Sequence, residues 1–219
     1  MNQPQISKCL LLLPLLAAVV LSLSCGSDAG LAAKASGQSE TSAPNSGPSA
    51  PPQPLSTDGQ AALRAIIEAG NLPDLRWANF SDYDKHLKKF YEFYGYALPW
   101  VQGMQPTAQA QQVIAILQKA DQKGLSAEDY DGSRWGARLA KLKPATAQPT
   151  ELDAARFDAA LTVCVMRYIS DLHIGKVNPK HFDFGYDVQA KKYDLPEFLK
   201  EHIVDGSDVA GVLEQVEPP

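Results

Sequence analysis

The segment that most restricts the fold of this 219-residue chain lies at 151–172. Thr150-Glu-Leu-Asp153 has the form of a capping box, in which a Thr side chain and an acidic side chain three residues on satisfy free N–H groups at a helix start. Between positions 159 and 169 only Thr162 and Arg167 are strongly polar. A helix that is apolar on nearly every face needs other elements packed around it, so the pattern predicts a long, central, enclosed helix. His173 falls in its last turn, Gly175 suits a left-handed cap, and Pro179 forbids continuation.

Shorter helices are predicted to surround it, at 61–68, 82–94, 108–123 and 131–142. In the second, Tyr83, Leu87, Phe90, Tyr91 and Tyr94 recur at helical spacing, and Gly95 and Pro99 end it. Ser126-Ala-Glu-Asp129 reads as a second capping box opening a short turn. The stretch 144–150, with Pro144 and Pro149, reads as a loop. Asp194-Leu-Pro-Glu197 opens another helix, with Pro at its first position, and 207–216 forms the last. No segment alternates with period two over the length of a strand. The expected fold class is all-α, an irregular helical scaffold around a central buried helix.

The chain ahead of this domain reads differently. One Lys at position 8 precedes an apolar run at 9–23, broken by Pro14 and Ser22. A bilayer-spanning helix needs about 20 apolar residues, so the run is short for a permanent anchor and has the form of a signal peptide, expected at 1–25. Ser22-Leu-Ser-Cys25-Gly26 resembles the cleavage and lipidation site of bacterial lipoproteins, with Ser22 where Leu is usual. Cys25 is the expected lipidation site, and cleavage after Ser24 is the alternative. Residues 26–56 contain seven Ser, six Ala, five Pro and four Gly. Such a stretch has little apolar surface to offset the entropy of ordering, so a linker is expected there and a folded domain at 57–219. The chain is thus expected to be exported to the periplasm or cell envelope. It would meet the membrane only through a lipid anchor.

A net charge of −5, with no dense cluster among the 20 basic residues, argues against nucleic acid as a partner. Cys164, in Leu161-Thr-Val-Cys-Val-Met166, has the surroundings of a small buried hydrophobe rather than of a reactive thiol. Asp171, His173, His181 and Asp183 lack a standard zinc spacing, and neither a metal nor a cofactor is expected. Glu128, Asp129 and Asp131 form a carboxylate group of the kind glycosidases use, but they sit at capping positions. The stretch 90–101 is six-twelfths aromatic. Its helical spacing argues for packing, and aromatic faces that stack on sugars are the alternative.

Four stretches in series resemble the scaffold domain of the large, YcbB-like murein L,D-transpeptidases. They are Phe90-Tyr91 with Gly95-Tyr-Ala97 and Trp100-Val101; the Ala120-Asp-Gln-Lys-Gly-Leu-Ser-Ala-Glu-Asp-Tyr130 stretch; Phe157-Asp-x-Ala-Leu-Thr162; and Arg167-Tyr-x-x-Asp171-Leu-His173-x-Gly175-Lys176-Val-x-Pro179. The likeness runs from about 80 to 219. The chain departs from the pattern at Tyr94, Pro99, Ala127 and Lys176. The resemblance implies a family that cross-links peptidoglycan stem peptides through a thioester on a Cys. That Cys belongs to a Ser-x-Gly-Cys-x-Arg motif in a separate β-rich domain. No such motif occurs here. The expected function is that of a non-catalytic scaffold, a fragment lacking the transpeptidase domain. A stand-alone envelope lipoprotein binding peptidoglycan glycan or stem peptides is the alternative. The expected partners are peptidoglycan or the missing catalytic domain. Tyr91, Trp100, Arg167, Tyr168, Asp171, His173, Gly175 and Lys176 are the residues expected to serve it, by binding or by holding the structure.

Overall fold

The structure is a computed structural model that describes residues 51–143, 148–176 and 194–216. The signal sequence, Cys25 and most of the predicted linker lie outside the described residues, as do 144–147, Pro179, His181 and Asp183. Of two compact units, Met1–Ala43 falls wholly outside them, and the described helices all belong to the other, Pro44–Pro219.

The long helix is α5, Glu151–His173. Both halves of its capping box form: the Thr150 hydroxyl accepts from the Asp153 N–H, and the Asp153 carboxylate accepts from the Thr150 N–H at 3.1 Å. Every residue from Ala159 to Met166 is buried, as the run of apolar side chains requires. Around it pack α1 (Thr57–Ala69), α2 (Asp84–Phe93), α3 (Ala108–Leu117) and α4 (Trp135–Lys141). A short α6 (Leu195–Phe198) runs on into a wider π-helical stretch, Leu199–Val204, and α7 (Val209–Glu214) packs on α3. The domain is mostly helical, as expected.

Several boundaries shift for physical reasons. The predicted helix at 108–123 is two pieces: α3 ends at Leu117, and a 3₁₀ turn, Ala120–Lys123, closes on left-handed Gly124. The predicted helix at 131–142 begins only at Trp135. Asp131 is itself left-handed (φ 61°), which no helix interior tolerates. Pro196 is the second residue of α6, behind the Asp194 cap. The fold also begins earlier than position 57. The Gln53 N–H donates to the Leu98 carbonyl at 2.9 Å and the Leu98 N–H returns the bond at 2.8 Å. Leu55 is buried, and Ser56 caps α1 while bonding the Glu151 carboxylate at the start of α5. Residues 53–56, expected in the linker, therefore belong to the domain.

A small antiparallel hairpin that the sequence did not announce joins β1 (Val101–Gln102) and β2 (Gln105–Pro106). Its two-residue loop, Gly103-Met104, has positive φ at both positions, the twist that lets so short a connection close. Just before it, Gly95 and Tyr96 are both left-handed. That double reversal returns the chain after α2 and lays Trp100 over α5.

Candidate functional site

The two candidates from the aromatic stretch meet at the middle of α5. Tyr91 and Trp100 are fully buried. The Tyr91 hydroxyl donates to Asp158 Oδ1 at 2.7 Å and lies 3.0 Å from Thr162 Oγ1. Trp100 donates its backbone N–H to Asp158 Oδ2 at 2.9 Å and its indole N–H to Thr162 Oγ1 at 3.0 Å. Thr162 in turn donates to the Asp158 carbonyl one helical turn back, at 2.9 Å. Asp158 and Thr162, four residues apart, thus present one polar spot on an otherwise apolar helix, and it binds α2 and the 95–101 return to α5. Burial pushes the Asp158 carboxyl up to about 8, even though the Tyr91 and Trp100 hydrogen bonds pull it down. Burial, with the Asp158 charge, also raises the Tyr91 phenol well above its ordinary value. Of the 90–101 aromatics, Phe90, Tyr91, Tyr96 and Trp100 are core residues, and Phe93 is the exposed one. Packing thus uses four of the six aromatics and leaves Phe93 and half-buried Tyr94 at the surface.

The remaining candidates lie along the last turns of α5 and just past its end, at Gly175 and Lys176. Arg167 sends its two terminal nitrogens to the Trp77 carbonyl (3.0 Å) and the Asn79 carbonyl (2.7 Å), gripping the 71–79 loop like a fork. Tyr168 is buried edge-on to Tyr130, with ring centres 5.2 Å apart. Asp171 accepts from the Tyr130 hydroxyl at 2.7 Å, and burial raises its carboxyl despite that bond. Gly175 takes a left-handed φ of 91° past the helix end, and its N–H bonds the Asp171 carbonyl at 3.1 Å. Lys176 pairs with Asp129. His173 is the last residue of α5, as its place in the sequence led one to expect. Its Nδ1 lies 3.1 Å from the carbonyl of Val216, just past α7. The signature thus draws the 71–79 loop, the 127–134 turns and the end of α7 onto one helix end.

The carboxylates at 128–131 have structural employment, though not the capping box read from the sequence. Ser126 makes no side-chain cap. Asp129 is drawn away: it accepts from the Trp77 indole N–H at 3.2 Å and pairs with Lys176, and the Lys176 bond lowers its carboxyl below the usual range. Glu128 holds the Ser133 N–H and hydroxyl. Asp131 is buried against Arg138, which also reaches the side chain and carbonyl of Asp74. Cys164 is completely buried, and burial raises its thiol far above the reactive range. Among the described residues no group of three or more His, Cys, Asp or Glu could hold a metal ion. Among them, too, no helix is long and apolar enough to cross a membrane.

A family model described as "Scaffold domain" matches residues 85–219, well over half of the chain. The chain belongs to the Scaffold domain family. The match covers α2 through the C-terminus and includes all eight candidate residues other than the lipidation cysteine. It agrees with the L,D-transpeptidase scaffold resemblance read from the sequence, and it supports a scaffold role. No curated protein and no solved structure matches the chain.

In this Scaffold domain the sequence singled out residues on and around α5 without showing which neighbours each one holds. Trp77, Arg138 and Asp158 were missed as site members. The signal for Asp158 was there: an acid at the Asp158/Thr162 spacing on a helix predicted to be enclosed has to find a partner. Arg167→Lys is expected to destabilise the domain by about 1–2 kcal/mol, because one ammonium cannot hold both carbonyls in the guanidinium geometry. Thermal unfolding compared with the parent protein measures it.

Proposed function

We propose that this protein is a non-catalytic scaffold of peptidoglycan cross-linking in the cell envelope, exported by its N-terminal sequence and tethered through lipid on Cys25. One observation carries the reading. In a chain that belongs to the Scaffold domain family, the most recognisable motif of the L,D-transpeptidase scaffold resemblance, Arg167 to Lys176, is used to hold the chain's own segments together. A motif that fixes architecture is what a domain needs if its task is to support and position chemistry performed elsewhere. The partners proposed are the wall itself and an L,D-transpeptidase catalytic domain.

Three measurements test this. The mature protein should co-sediment with purified sacculi. Incubated alone with tetrapeptide muropeptides it should form no cross-linked dimers, and a carbapenem should leave Cys164 unmodified by mass spectrometry. In a bacterial host, radiolabelled palmitate should enter the parent protein and not Cys25→Ala. Failure to sediment with sacculi removes the wall from the proposal, and dimer formation or Cys164 acylation overturns its non-catalytic character.

A further inference from the structure

Trp77 is the most exposed large apolar side chain described, with 54% of its surface open, whereas Trp100 and Trp135 are completely buried. It is also held still. Its indole N–H is fixed on Asp129, and its carbonyl on Arg167. The preceding N–H, of Arg76, donates to Asp131 Oδ1 at 2.8 Å. The loop itself is closed by Leu72 N–H to the Ala78 carbonyl at 2.9 Å, and the Asp74 carbonyl is bonded by both Arg134 and Arg138. These bonds, which also stabilise the domain, hold the open indole in one orientation.

The charges around it are arranged in depth. Asp129 is recessed, with 17% of its side chain exposed, and its two oxygens hold the indole and Lys176. Both cations pair with Asp129, Arg76 at 3.9 Å, yet keep an outward face: Lys176 is 42% exposed and Arg76 45%, with the Arg76 guanidinium 5.6 Å from the indole ring centre. A fixed, open aromatic face with two outward cations suits a ligand that offers a flat C–H face and an anion beside it. In the envelope that chemistry belongs to an amino-sugar ring carrying a carboxylate.

We infer that Trp77, Arg76 and Lys176 form a saccharide platform that stacks a muramyl ring free of its stem peptide on the indole and sets its lactyl carboxylate against the two cations. This deepens the wall-associated reading and rests on it. Arg76 and Trp77 precede the stretch matched to the family, and Lys176 lies within it.

Trp77 is the indole open to solvent, so acrylamide quenching of tryptophan emission reports on it selectively. Glycan strands freed of stem peptides, titrated into the mature protein, should shield that emission and shift it to shorter wavelength. Trp77→Ala and, independently, Arg76→Glu should each weaken binding about tenfold. The Arg76 variant keeps the backbone N–H that holds Asp131, so its fold survives. Neutral chitin oligosaccharides should bind more weakly than the carboxylated strands, and their affinity should be unchanged by Arg76→Glu. If stem-free strands bind Trp77→Ala as tightly as the parent while sacculi still retain both, the wall reading stands and this platform does not. If the strands leave the quenching unchanged, or if Trp77 is shielded instead by raising the protein concentration alone, the assignment is overturned.

Discussion

Replacing Arg138 with methionine should lower the unfolding free energy by about 3–5 kcal/mol, because it leaves the Asp131 carboxylate buried without a counter-charge. Arg138 and Asp131 are both almost wholly buried. The guanidinium pairs with Asp131 and with the Asp74 side chain, and bonds the Asp74 carbonyl. The expected fall in melting temperature is on the order of 10 °C. The cluster is not completely satisfied, since Arg138 Nη1 and Asp74 Oδ1 are buried without hydrogen-bond partners. A double variant, Arg138→Met with Asp131→Asn, should therefore recover at least half of the loss. Asn tolerates the left-handed backbone at 131 and still accepts the Arg76 N–H. If the single variant melts with the parent, the pair contributes little to this fold. The same substitution should loosen the 71–79 loop, and the Trp77 emission should then become easier to quench.

The second large effect is expected at Asp158. Asp158→Ala orphans the Trp100 N–H inside the core and removes the acceptor of Tyr91, at about 3 kcal/mol. Asp158→Asn should be far milder. Its amide oxygen can keep the Trp100 N–H while its NH₂ donates to the Tyr91 oxygen, and Tyr91 then donates to Thr162 Oγ1, 3.0 Å away. The two variants also separate by pH. Burial raises the native carboxyl to about 8, from an ordinary value of 3.8 in the unfolded chain. The native state therefore holds this proton more tightly than the unfolded state. The associated stability is fully present below about pH 4 and is lost as pH rises towards 8. At about 1.4 kcal/mol per unit the window is worth on the order of 5 kcal/mol. Urea unfolding of the parent and of Asp158→Asn between pH 4 and 9 isolates it. The difference between them should shift steadily in favour of the Asn variant as pH rises. Asp129 and Asp153, whose carboxyls are lowered by their partners, titrate below this window and cancel in that difference. A pH-independent difference would mean that Asp158 stays ionised throughout.

Local chemistry was sufficient for much of the domain. The Thr150 capping box, the apolar run behind it and Gly175 together fixed the start, the burial and the end of α5, because each acts within a few residues of chain. The same holds for the helical stripe of Tyr83, Leu87, Phe90 and Tyr91, and for the burial of Cys164. The family resemblance in four short stretches was likewise a property of sequence alone.

What the tertiary structure decided was pairing across distance. Asp129 looked like a cap because the cap was its nearest use, but folding brings Lys176 and Trp77 to it from 47 and 52 residues away. His173 ends its own helix and also meets Val216, 43 residues on. Trp77 carried no signal in the sequence, since exposure depends on what the rest of the chain leaves uncovered. Periodicity and capping are interactions within one helical turn and can be read along the chain. Ion pairs, orphaned carbonyls and open aromatic faces depend on which segments meet, and that is settled only when α5 is enclosed.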